Sequence, residues 1–204
     1  MNQQNSCNGN PNIVGCRFSL YPMADSFVDV IKTALASVDT SNVWMETDDV
    51  STCIRGTEAH VFSTLEALLA AASKDGVHIA LNANFSAGCP GDSEGDVYLD
   101  AEPPKELPVS LKELSSSTYV GSQFALYPMG TADYMDIIYE ACKTATEIGT
   151  FSKGVHYASR LDGSIDKVIE TLATVFKQTR TRSSHVVMTW QASVHSPSHK
   201  KENE

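Results

Sequence analysis

The chain contains itself twice. Phe18-Ser19-Leu20-Tyr21-Pro22-Met23 returns as Phe124-Ala125-Leu126-Tyr127-Pro128-Met129, and the correspondence continues with one inserted residue. Arg55-Gly56 matches Asp162-Gly163, Thr64-Leu65 matches Thr171-Leu172, His78 matches His185, Ser86 matches Ser193 and Pro90 matches Pro197. One hexapeptide can recur by chance, but a collinear series over 13–90 and 120–197 is a tandem duplication, so both halves must satisfy one fold.

Each half carries the same alternation of periods. Residues 13–21 alternate as a strand, with Cys16, Phe18 and Leu20 on one side, Arg17, Ser19 and Tyr21 on the other, and Pro22 as its stop. From Asp25, read as an N-cap, the spacing turns helical, and Phe27, Val30, Ile31, Ala34, Leu35 and Val38 form one stripe. Residues 42–47 and 49–55 are predicted as short strands about a turn at Thr47-Asp48. Thr57 caps a second helix carrying Val61, Leu65, Leu68, Leu69 and Ala72, which stops near Asp75-Gly76 before a last strand over 77–86.

The second half repeats the order: a strand over 122–127, a helix from Tyr134 to Gly149, strands over 150–153 and 155–161, a helix capped by Ser164, and a strand over 185–193. A βαββαβ order, twice, predicts an α+β fold: tandem ferredoxin-like units, each an antiparallel four-stranded sheet with both helices on one face. The expected divisions are a loose N-terminal tail 1–12, a first repeat 13–90, a solvated acidic linker 91–119, a second repeat 120–197 and a loose polar tail 198–204.

With helices on one face, the residues pointing the other way carry the functional signal. Parity places Arg17, Ser19, Tyr21, Asp49, Ser51, Cys53, His78, Asn82, Asn84 and Ser86 there in the first half. The same register gives Gln123, Tyr127, His156, Arg160, Thr189, Gln191 and Ser193 in the second. A merely wetted face is usually lined with Lys and Glu. These rows hold amides, hydroxyls and tyrosines, which suit hydrogen bonding to a heterocycle, or a polar interface with another sheet.

Charge and cysteine content narrow the classes further. With 15 basic against 25 acidic side chains, the formal charge of −10 sets a repulsive field against nucleic acid and anionic membrane surfaces. No apolar run approaches the roughly 20 residues of a membrane span, and the opening Met1-Asn2-Gln3-Gln4-Asn5-Ser6 lacks a secretory pattern, so a cytoplasmic protein is expected. Five scattered cysteines without a Cys-x-x-Cys pair make neither a disulfide framework nor a zinc site.

A catalytic constellation is equally hard to assemble. Cys89, in Gly-Cys-Pro-Gly-Asp, has Ser196-Pro197 as its counterpart; His78 and His185 sit at strand starts as hydrogen-bond partners; Asp48 and Asp49 are adjacent and on a strand would point to opposite faces. There is no phosphate-cradling glycine loop and no diphosphate–metal motif of thiamin diphosphate enzymes. No catalytic residue, metal ligand or cofactor is expected.

The double FxLYPM motif, Thr47-Asp48-Asp49-Val50-Ser51-Thr52, Gly88-Cys89-Pro90-Gly91-Asp92 and Gly154-Val155-His156-Tyr157-Ala158-Ser159 together resemble the YkoF-like family of thiamin/hydroxymethylpyrimidine-binding proteins. The resemblance covers nearly the whole chain outside the tails and linker. It implies a tandem ferredoxin-like fold, a homodimer, one ligand site per repeat, and a cytoplasmic role beside a thiamin-precursor transporter in uptake or salvage. Tyr21, Tyr127, Asp49, Ser51 and His156 belong to its motifs. Arg17, Asn82, Asn84, Ser86, Gln123, Thr189, Gln191 and Ser193 come from parity alone. The expectation is a non-catalytic binder of thiamin or hydroxymethylpyrimidine; the alternatives are an enzyme acting through Cys89 or His156 and a ligand-responsive interaction module.

Overall fold

The computed structural model describes residues 12–88 and 102–199. The first unit runs β1 (Val14–Pro22), α1 (Phe27–Ala36), β2 (Trp44–Thr47), β3 (Thr52–Gly56), α2 (Glu58–Ala72) and β4 (Ile79–Ala87). After α3 (Val109–Ser117), the second runs β5 (Tyr119–Met129), α4 (Tyr134–Ile148), β6 (Phe151–Val155), β7 (Ala158–Ser164), α5 (Ile165–Arg180) and β8 (His185–Val194). These are the two ferredoxin-like units that the duplication predicts.

They do not form two separate sheets. β4 pairs antiparallel with β8, giving one eight-stranded sheet in the order β2-β3-β1-β4-β8-β5-β7-β6. Ala83 faces Trp190 at the joint, with Asn82 opposite Gln191 and Asn84 opposite Thr189. Ala83 and Trp190 are equivalent positions of the two repeats, so the register is that of a local twofold.

Parity explains why the helices lie where they do. Ile79, Leu81, Ala83 and Phe85 of β4 and Val186, Met188, Trp190 and Val194 of β8 are buried, while Asn82, Asn84 and Gln191 between them are exposed. The buried rows carry one core across both repeats. Phe62 of α2 stacks on Phe85 at 4.5 Å between ring centroids, and Phe176 of α5 meets Phe62 edge-on at 5.9 Å. Arg180 of α5 donates to Glu58 of α2 at 2.7 Å, a largely sheltered ion pair across the same boundary. Among the described residues no helix is long and apolar enough to cross a membrane.

Several local expectations are corrected. The cap of α1 is Ser26 rather than Asp25, and the Ser26 side chain makes no capping hydrogen bond. The β2–β3 turn occupies residues 48–51 and not Thr47-Asp48, because Asp48 accepts from the backbone N–H groups of Val50 and Ser51, both at 2.8 Å, and so closes an Asx turn. The linker is not wholly solvated: Leu111 and Ser115 of α3 are buried, and Ser115 donates to Glu66 of α2 at 2.7 Å. In the C-terminal tail His199 stacks on Tyr119 at 3.8 Å. The N-terminal tail before residue 12, and Cys89 with Pro90, lie outside the described residues.

Gly88 shows why its motif needs glycine. Its φ of +77° is left-handed, and a Cβ there would lie 1.8 Å from the carbonyl oxygen of Ser184, where the chain enters β8 of the other repeat. Its counterpart His195 is also left-handed, φ +53°, and its Nε2 reaches the carbonyl of Ser73 in the first repeat at 3.0 Å. Each repeat thus ends by crossing onto the other.

Thr57 does cap α2, accepting from the backbone N–H of His60. Thr57→Ala is expected to cost about 1 kcal/mol in urea denaturation; an unchanged midpoint would show that the cap contributes nothing.

Candidate functional site

Arg17, Ser19 and Tyr21 of β1 stand on the helix-free face as parity predicts, but β3 pairs with β1 only from Val14 to Phe18. Beyond Phe18 the edge of β1 is open. A cavity of about 170 Å³ forms there between β1, the β2–β3 turn and α1. Phe18, Leu20, Ile31, Leu35 and Leu68 supply its apolar wall, and Ser19, Tyr21, Thr47, Asp49 and Ser51 its polar side. Four of the sequence-selected residues meet in this one place: Ser19, Tyr21, Asp49 and Ser51.

The turn at the rim is held from several directions. Arg17 Nη1 donates to Asp48 Oδ2 at 3.0 Å and to Ser51 Oγ at 2.8 Å, and Ser19 Oγ donates to the carbonyl of Val50 at 3.0 Å. Backbone N–H groups of Ser51 and Val50, then Arg17, hold the Asp48 carboxyl below its usual range. Arg17 therefore pairs with Asp48 and not with Asp49. Asp49 lines the cavity, and among the described residues its carboxylate has neither a hydrogen bond nor an ion pair. One acidic group shapes the turn, and the next is left for something else.

The remaining selected residues lie elsewhere. Asn82, Asn84, Gln123, Thr189 and Gln191 form the centre of the open face, where Asn82, Gln191 and Gln123 are successive register partners and Asn84 faces Thr189. Ser86 continues this surface opposite Val187. Ser193 is engaged by His78 Nε2 at 3.0 Å, a strand-end contact between the repeats. His156 is not on a strand face: it stands exposed in the β6–β7 turn beside Tyr157, whose φ of +67° is left-handed and whose side chain is 98% exposed.

The second repeat keeps part of the edge geometry. Tyr127 matches Tyr21, both 49% exposed, but Ala125 replaces Ser19 and Val155 replaces Asp48, so the turn loses those anchors. Its carboxylate on the open face is committed: Asp162 accepts from Arg160 Nε and Nη2 at 2.8 and 2.7 Å, and from Tyr119 and Ser152. Burial pushes the Asp162 carboxyl up, but the hydrogen bonds from Arg160, Ser152 and Tyr119 outweigh it and leave the net shift downward.

Sequence reasoning missed the apolar wall, because Ile31, Leu35 and Leu68 read as core stripe and Leu20 as a residue beneath the helices. The available signal was the Asx turn in Asp48-Asp49-Val50-Ser51, which shortens β3 and uncovers that wall. Among the described residues no group of three His, Cys, Asp or Glu side chains could hold a metal ion.

The model of the YKOF-related Family matches residues 13–92 and 119–199. A protein of Bacillus subtilis (strain 168), named "Putative HMP/thiamine-binding protein YkoF", is 45% identical over 192 residues, which cover 94% of this chain and 95% of that protein. Two matches of the family model fall on the two ferredoxin-like units in turn, and the chain belongs to the YkoF-related family.

Proposed function

We infer that the chain binds thiamin or its hydroxymethylpyrimidine moiety without converting it, with one site at the β1 edge and one at the matching β5 edge. The observation that carries this reading is the β1-edge cavity, where an apolar slot meets Tyr21, hydroxyls and the uncommitted Asp49 carboxylate. At about 170 Å³ it is smaller than the usual 300 to 1,000 Å³ of drug-sized pockets, and suits a single substituted ring. The pyrimidine enters this slot, and the thiazolium of the intact vitamin stays at the exposed rim beside Asp49. The relative's name supports the choice of ligand. In the second repeat Tyr127 and His156 take the equivalent positions.

Calorimetric titration with thiamin, followed by mass spectrometry of the recovered ligand, tests the reading. Saturation at up to two ligands per chain with unchanged mass is expected; a converted product, or no binding of either compound, overturns it.

Asn82, Asn84, Ser86, Gln123, Thr189 and Gln191 then serve a different purpose: they form a broad neutral face with few lysines to guard it, and a second copy of the chain covers it. Sedimentation should therefore detect a dimer that Gln123→Lys with Gln191→Lys shifts toward monomer. A concentration-independent monomer in the unmodified protein would remove this part of the proposal. Such a binder fits thiamin-precursor uptake or salvage inside the cell, receiving ligand from a transporter.

A further inference from the structure

A larger cavity lies on the helix side of the first repeat, away from the β1 edge. It measures about 250 Å³ and is enclosed by the end of α1, the start of α2, the connector over 104–108 and α3. Val38, Ala67 and Leu111 give it an apolar wall, and Ser63, Thr64 and His60 a polar one. His60 is 3% exposed, and among the described residues its Nε2 has no partner.

The hydrogen bonds around His60 determine what Nε2 offers. Thr57 Oγ1 already accepts the backbone N–H of His60 and lies 2.7 Å from His60 Nδ1. With the threonine hydroxyl donating its proton to Nδ1, the ring proton sits on Nε2. A buried N–H donor without an acceptor costs about 1 to 3 kcal/mol; Nε2 has no surface open to water, so an acceptor in the cavity must part the wall beside it to remove that deficit.

The charges around the cavity are already matched. Asp39 accepts from Lys105 at 3.0 Å and Glu106 pairs with Lys112 at 3.5 Å. A charged guest would find no unmatched partner in either pair. The second repeat also lacks a copy of this site, because Lys167 stands at the position of His60 and the connector that closes the cavity occurs once.

We propose that this connector-roofed cavity is a separate ligand site for a small uncharged molecule that presents a hydrogen-bond acceptor on an apolar ring. Benzamide is a suitable probe, being neutral and single-ringed with a carbonyl acceptor, and benzene is its control without the acceptor. In the full-length protein labelled with ¹⁵N-histidine and ¹³C-methyl Ala and Leu, benzamide should saturably shift His60 Nε2, Ala67 and Leu111. Benzene should bind at least about fivefold more weakly, and His60→Phe should weaken benzamide by a similar factor. Ser63→Phe, which fills the cavity from a half-buried position, should abolish the shifts while the amide spectrum stays folded.

No saturable shift, with water as the only partner of His60, overturns the proposal. So does equal affinity for benzamide and benzene. Displacement of benzamide by thiamin would make this cavity the vitamin's own site and also overturn it, whereas thiamin binding that leaves these signals unmoved supports two independent sites.

Discussion

Replacing Phe85 with alanine is expected to lower the stability of the entire chain by about 3 to 5 kcal/mol, within a single unfolding transition. Phe85 is fully buried on β4, stacked on Phe62 of its own repeat and 6.2 Å from the ring of Phe176 in the other. The substitution therefore removes transfer free energy and leaves a cavity that rigid strands on both sides cannot collapse to fill. Because β4 and β8 also share a full ladder, the two repeats have no independent cores to fall back on. Denaturant melts followed both by tryptophan fluorescence, from Trp44 and Trp190, and by far-UV circular dichroism should shift together. Two separated transitions, with only one displaced, would mean that the repeats fold alone and that the shared core couples them weakly.

For Asp49→Asn the expected result is a loss of about tenfold in thiamin affinity at the first site, with hydroxymethylpyrimidine affected by less than about twofold. Thiamin carries a fixed positive charge that its pyrimidine half lacks, so the ratio of the two effects isolates the electrostatic part. Arg17 does not cancel Asp49, since its guanidinium is engaged with Asp48 and Ser51. On the proposed binding mode Tyr21 would add a cation–π contact of about 0.5 to 2 kcal/mol, but Tyr127 would offer the same in the second repeat and so would not distinguish the sites. The charge term should shrink as salt rises, because the rim is exposed. Equal losses for both ligands would place Asp49 against the pyrimidine, and no loss for either would put the thiazolium elsewhere.

The fold was legible because it is written in periods. Burying Phe18, Leu81 or Phe85 while exposing Arg17, Asn82 or Asn84 needs only the alternation of a strand, and the duplication confirms each reading by repeating it. Helical stripes are equally local, and Thr57 and Gly149 mark their ends by side-chain and left-handed backbone chemistry. The site was legible only in part. Ser19, Tyr21, Asp49 and Ser51 were selected and do meet, but Asp49 and Ser51 were assigned to a strand that stops short of them. His156 was misplaced for the same reason, since its hairpin turn interrupts the alternation on which parity depends.

Two features belong to the tertiary structure alone. Nothing in the period of β4 or β8 says that these strands pair with each other rather than ending two separate sheets, because each offers unpaired N–H and C=O groups to any partner, and the choice depends on cores meeting across Ala83 and Trp190. The cavities are likewise invisible to pattern, since they arise where elements fail to cover one another: β3 stops short along β1, and the connector spans the α1–α2 cleft. Sequence by itself determined the repeated unit, its buried face and the chemistry of its open face. Three-dimensional packing decided which polar residues line a cavity, which lie on an open sheet, and that His60, one more residue of a buried helix by its sequence, keeps a ring nitrogen without a partner among the described residues.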